Sequence, residues 1–113
     1  MPHSARAAMM PKDSASLFAA LGDETRLRLV SRLCDNGPMS ITELTAGSKI
    51  TRQAITKHLR ALGEAGLVRS RWRGRESVWQ LDQHRIKDAQ RCLDLISRQW
   101  NGALERLREL VED

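Results

Sequence analysis

Beyond Asp82 the sequence has no proline and a single glycine, Gly102, and its apolar residues fall into a seven-residue repeat. Ile86, Leu93, Trp100 and Leu107 are seven apart, and Ala89, Ile96, Ala103 and Leu110 follow each of them by three. Four heptads of this kind define a long helix with an apolar seam, and such a seam needs a second helix laid against it. A chain of 113 residues is one domain by length, too small to cover the whole seam by folding back on it. The pattern therefore predicts a homodimer joined along the last helix, with Trp100 as an anchor of the interface.

Upstream of the seam the elements are short and well punctuated. Residues 1–12 hold two prolines and no helical periodicity, which predicts a flexible tail before a single domain over 13–113. Asp13 or Ser14 can cap a first helix carrying Leu17, Phe18, Ala20 and Leu21 and ending at Gly22. Asp23 caps a second helix, whose inner face reads as Leu27, Val30, Leu33 and Cys34, and Asn36-Gly37-Pro38 stops it. Ser40 followed by Glu43 has the form of a capping box and starts a short helix with Ile41 and Leu44 inward. Thr51 can cap the next, which turns Ile55, Leu59 and Leu62 inward and ends before Gly66. The period then becomes two. Val68, Ser70 and Trp72 alternate with Arg69, Arg71 and Arg73, Arg73-Gly74-Arg75-Glu76 supplies a turn, and Val78 to Leu81 returns as the second strand of a hairpin. The expected fold class is mainly α with a small β-hairpin.

The charge is as uneven as the periodicity. The chain carries a formal net charge of +5, and residues 49–76 alone carry eight basic against two acidic side chains. Solvated faces ordinarily mix signs, whereas a local excess of this size suits a polyanion. It coincides with two helices, about 40–47 and 51–64, joined by Gly47-Ser48-Lys49-Ile50, which have the dimensions of a helix-turn-helix. In such a unit the second helix enters the major groove of DNA. With Ile55, Leu59 and Leu62 held inward, Arg52, Gln53, Thr56, Lys57 and Arg60 are left outward. Arg can bond guanine, Gln adenine, and Thr a base edge or the thymine methyl, while Lys57 and Arg60 suit phosphate. The hairpin is then a wing. Arg73 and Arg75 at its turn, together with Lys49 in the loop, are expected at phosphates, and Arg69 and Arg71 lie nearer its base. Trp72 and Trp79 are expected to pack the hairpin onto the body rather than to act as stacking platforms for single strands.

Phe18-Ala-Ala-Leu-Gly-Asp-Glu-Thr-Arg-Leu-Arg-Leu-Val30, Ile41-Thr-Glu-Leu44, Thr56-Lys-His-Leu-Arg-Ala-Leu-Gly-Glu-Ala-Gly-Leu-Val68 and the Arg-Gly-Arg turn leading into Val78-Trp-Gln-Leu81 together resemble the ArsR/SmtB family of bacterial winged-helix repressors. The likeness spans roughly residues 15–110. It implies a winged helix-turn-helix that dimerises through its first and last helices, here Leu17 and Leu21 with Ile86, Leu93, Ile96, Trp100 and Leu107. It also implies a cytoplasmic repressor that binds an imperfect inverted repeat in duplex promoter DNA and obstructs polymerase. Recognition-helix positions carry over to Arg52, Gln53, Thr56 and Lys57, with His58 where the family often has histidine.

The ligand motifs of the family are missing. Its thiolate sites use Cys-x-Cys in the short helix, which here reads Ser-Ile-Thr-Glu-Leu-Thr. Its other site pairs Asp-x-His with a later His-x-x-Glu; Asp82-Gln83-His84 supplies the first half, but Leu95 and Arg98 stand in the second. A zinc ion needs at least three protein ligands, so no metal and no cofactor is expected. Two other readings stay open. Cys34 and Cys92 can serve a redox- or thiol-responsive repressor, or be small buried hydrophobes. The basic surface can instead serve a winged-helix protein-interaction module. Nothing resembles a phosphate loop, a nucleophile motif or a metal cluster, so no enzyme is expected. The longest uninterrupted apolar run is Leu17 to Leu21, far short of the roughly 20 residues of a membrane span. Ala7 to Met10, broken by Pro11, offers no secretory core.

Overall fold

The computed structural model describes residues 13–112; the tail expected over 1–12 lies outside them. Elements follow in the order α1 (Ser14–Leu21), α2 (Glu24–Asn36), β1 (Met39–Ser40), α3 (Ile41–Ala46), α4 (Arg52–Glu64), β2 (Val68–Arg73), β3 (Glu76–Leu81) and α5 (Gln83–Glu112). The local signals work as written. The Asp23 carboxylate accepts from the Arg26 amide at 3.0 Å. Ser40 and Glu43 form a reciprocal capping box, each side chain accepting from the other's amide at 3.1 Å. Thr51 accepts from the Ala54 amide at 3.1 Å. α4 closes with Gly66 at φ 78°, a left-handed conformation that suits glycine, and the Leu67 amide returns to the Leu62 carbonyl at 3.0 Å. Asp13 takes the cap position of α1 in a left-handed conformation, and its side chain makes no capping bond.

The core gathers around α4. Ile55, Leu59 and Leu62 are fully buried and join Leu17, Ala20, Leu29, Leu33, Met39, Leu44, Leu67, Val68 and Ala89 in one cluster. α4 packs against α1, α2, α3 and β2, so its orientation is fixed from several sides. In α2 the inner face is Leu29 and Leu33 with Val30 beside them, whereas Leu27 and Cys34 are exposed. The expected phase was off by one stripe: Leu27 is seven residues from Cys34, and both lie along the flank of the helix.

The sheet has three antiparallel strands in the order β1-β3-β2, one more than the hairpin expected. Met39 pairs with Trp79 and Ser40 with Val78. Two residues carry no readable period, so β1 has no sequence signature of its own. Arg73 pairs with Glu76 across a two-residue turn whose first residue, Gly74, has φ 65°, as a type II′ hairpin turn requires. Of β2 only Val68 is buried. The hairpin extends past the body, so the half-buried strand with one basic face is in fact exposed on both faces beyond its first residue. Trp79 packs against the core as expected, but Trp72 is 74% exposed and packs the hairpin onto nothing.

α5 begins on the body and leaves it. The Asp82 amide bonds the Leu67 carbonyl at 2.9 Å, and Ile86, Ala89 and Cys92 face the core. Arg85 fastens this end. Its guanidinium donates to the carbonyls of Ala65 at 3.0 Å and Asp13 at 2.9 Å and pairs with Asp88 at 3.3 Å, tying α5 to the end of α4 and the start of α1. From Leu93 onward the seam is bare: Leu93, Ile96, Trp100, Leu104, Leu107, Leu110 and Val111 are all exposed. A helix of 30 residues is about 45 Å long, and its second half extends beyond the globular part. No described helix is long and apolar enough to cross a membrane.

Candidate nucleic-acid interface

α3, the turn from Gly47 and α4 form the helix-turn-helix, and the turn is pinned from behind. The Arg32 guanidinium of α2 donates to the carbonyls of Leu44 at 2.6 Å and Glu43 at 3.2 Å, satisfying acceptors that α3 leaves open at its end. A Cβ at Gly47 would come within 2.5 Å of that guanidinium, so a larger residue there would have to displace the Arg32 side chain from these bonds. Ser48 accepts from the Ile50 amide at 3.2 Å and shapes the entry to α4.

The buried face of α4 decides what the other face presents. Arg52, Gln53, Thr56, Lys57 and Arg60 line one shallow open depression of about 500 Å³ on the outer side of the helix. Four of these side chains are exposed, and Thr56 is half-buried with its hydroxyl donating to the Arg52 carbonyl at 2.9 Å. Three are cationic, and two, Arg52 and Gln53, stand in the first turn at the end that enters a groove first. His58 does not join them. It is half-buried on the flank facing α2, with Nδ1 3.8 Å from Asp23 Oδ2 and, among the described residues, without a hydrogen-bond partner. The Arg26 amide, opposed by partial burial and helped by the charges of His58 and Arg26, holds the Asp23 carboxyl below its ordinary value.

The wing lies against the same unit. Arg73 pairs with Glu43 at 2.9 Å and Glu76 at 3.6 Å, so it braces the hairpin on α3. Glu43 thereby serves two elements at once. The Ser40 amide and then the Arg73 guanidinium keep its carboxyl below the ordinary value. Lys49 and Arg75, with Arg69 and Arg71 along β2, are exposed. Apart from Arg73 the wing thus carries its cations outward, while Arg26, Arg32 and Arg85 direct theirs at backbone carbonyls: Arg26 donates to Ala20 at 2.6 Å. These bonds span six to seventy-two residues, and no local sequence pattern signals them.

The expected dimer-forming residues separate into two groups. Leu17 is buried inside the protomer's own core, and Leu21 and Ile86 are half-buried against it, so Leu17 has no surface left for a partner. Leu93, Ile96, Trp100 and Leu107 share the exposed seam of α5. Cys34 is exposed at the end of α2 and Cys92 buried in α5, and no disulfide joins them. Among the described residues no three His, Cys, Asp or Glu side chains gather where a metal ion could sit.

Three comparisons agree with this geometry. The family model described as "Bacterial regulatory protein, arsR family" matches residues 23–70, from the cap of α2 into the wing. The HTH-type transcriptional regulator Rv2034 of Mycobacterium tuberculosis is 36% identical over 95 residues, 84% of this chain and 85% of that protein. The arsenical resistance operon repressor of Escherichia coli is 29% identical over 97 residues, 86% of this chain and 80% of that one. Among solved structures, an ArsR-like transcriptional regulator from Rhodococcus sp. RHA1 superposes with a TM-score of 0.73 at 35% identity, covering 86% of this chain and 91% of that one. The basic outer face of α4, the wing beside it and these likenesses place the chain in the arsR family of bacterial regulatory proteins, as a DNA-binding transcription regulator and not an enzyme.

Proposed function

We propose that the protein is a repressor that binds an imperfect inverted repeat in promoter DNA as a homodimer, acting in the cytoplasm without a dedicated metal site. One observation carries the reading: Arg52, Gln53, Thr56, Lys57 and Arg60 share the outer face of a helix whose opposite face is locked in the core. A rigid helix presenting side chains able to make paired hydrogen bonds at its N-terminal end suits major-groove readout. Arg52 and Gln53 read base edges. Thr56, its proton engaged on its own helix, offers its methyl and an acceptor. Lys57 and Arg60 neutralise phosphates, and Lys49 and Arg75 do so from the turn and the wing. His58, half-buried beside the α2 cap, lies off this outer face.

The exposed seam calls for a second copy. Leu93, Ile96, Trp100 and Leu107, with Leu104 and Leu110, leave a continuous apolar face exposed in one protomer. A face of that size marks an interaction site, and its heptad spacing matches an identical helix best. The Cys-x-Cys and His-x-x-Glu positions hold no ligands, which supports a regulator whose binding is set by its own concentration.

In vitro selection of duplexes from a random library tests this. The expected product is a palindrome whose half-sites lie about 10 base pairs apart, centre to centre, or a multiple of that. Enrichment of single, unrepeated half-sites would overturn the dimer, and no enrichment would overturn sequence-specific binding.

A further inference from the structure

We propose that Trp72 is a second DNA-reading residue, packing its indole against the sugars and base edges of the minor groove beside the α4 site. This rests on the DNA-binding reading above and extends it from the recognition helix to an apolar contact on the wing. The register makes the case. Ser70 faces Trp79 and Trp72 faces Ser77, so both tryptophans lie on one face of the ribbon, one residue pair apart along that face. Trp79 packs on the core, and Trp72 is 74% exposed. The step between them is about 7 Å along the strands, and across it the hairpin leaves the body. Ser77 is too small to cover the indole.

The surroundings choose the occupant. On the opposite face of the ribbon Arg73 is held by Glu43 and Glu76, so that face is braced on the protein itself. The face with Trp72 is unbraced; Arg75 stands in the turn just beyond it, and Arg71, which lies with Arg73 on the opposite face, is exposed at its edge, within the segment that carries eight basic and two acidic residues. A second basic wing is repelled by that charge, so the same face of a second copy is a poor cover for this indole. Duplex DNA supplies both requirements, phosphates for the arginines and apolar groove walls for the ring. Apolar side chains set among arginines are a device of minor-groove binders, which read groove width and deformability rather than base-edge patterns. A single strand fits less well, because stacking of successive bases needs several exposed rings and the neighbouring Trp79 is packed away.

The full-length protein is titrated with its own upstream duplex and with mixed-sequence duplex, across a salt series, while tryptophan emission is followed. Wild type, Trp72→Phe, Trp72→Ala and Arg75→Ala are compared, and the exposed position leaves the melting temperature of the Trp72 variants unchanged. Duplex should quench wild-type emission, and most of that change should vanish in Trp72→Phe. Trp72→Ala should weaken binding about tenfold, with Trp72→Phe in between. The slope of log affinity against log salt should stay unchanged in Trp72→Ala and fall by about 0.9 in Arg75→Ala, because only the cation releases a counterion. Wild-type affinity in Trp72→Ala, or full quenching in Trp72→Phe, would overturn the assignment while leaving DNA binding intact. Failure of the wild type to bind any duplex would instead overturn the reading on which it rests.

Discussion

The outer residues of α4 divide their work by side-chain chemistry. Arg52 and Gln53 can each make two hydrogen bonds to one base, and losing such a pair costs about 1–3 kcal/mol of discrimination against the wrong base. Arg52→Ala and Gln53→Ala are therefore expected to relax specificity at defined operator positions, measurable by binding to single-substitution operators. Lys57→Ala is expected to weaken binding to all sequences alike and to lower the salt slope by about 1. These roles were legible because the helical period separates Ile55, Leu59 and Leu62 from the outward set. His58 was not: its neighbour Asp23 lies 35 positions away, and only packing brings them within 3.8 Å. Trp72 was misplaced for a related reason, since alternation shows which face a residue shares and not where the body ends. Where the helix rests on its core, Leu62→Ala removes a fully buried side chain from beneath it. The expected cost is about 2–5 kcal/mol of stability, read from denaturant unfolding, with loss of specific binding following the loss of fold.

Among the elements, the starts of α2, α3 and α4 were readable since each cap is set by residues within three positions. What fixes the elements to one another was not. Arg32 and Gly47 meet across the turn, Arg73 reaches Glu43 thirty positions away, and Arg85 reaches back to Asp13. The bracing is pH-dependent in a definite direction. Hydrogen bonds from the Ser40 amide and Arg73 lower the Glu43 carboxyl below its ordinary 4.5, and the Arg26 amide lowers that of Asp23 below 3.8. Groups depressed on folding stabilise the fold above their unfolded values, and that contribution is lost as pH falls through the folded ones. At neutral pH Glu43→Gln should thus melt below the wild type, and the gap should close as the buffer is taken under pH 4.5 and through the acid range. A gap that stays constant across that range would show that the charge of Glu43 contributes nothing to the bracing.

At the level of the whole molecule, the two ends do different things. The first 70 or so described residues make a body that orients α4 and the wing, and the second half of α5 leaves it with an apolar stripe exposed. The heptads announced that stripe, since Leu93, Ile96, Trp100 and Leu107 repeat with the register of a helix pair. Within α1, Leu17 is committed to the core of its own protomer, whereas Leu21 keeps part of its surface exposed. A charge in the stripe should separate the copies without disturbing the body: Trp100→Glu is expected to give a folded monomer by sedimentation and to lose most affinity for a palindromic operator. The reading helix and the dimer seam are tested together by binding of the purified protein to its own upstream DNA, against scrambled DNA, over a salt series. Dimeric, sequence-specific binding that survives moderate salt and is weakened by Arg52→Ala and Gln53→Ala is the expected result. Equal affinity for the two DNAs at every salt concentration, indifferent to those substitutions, would contradict it.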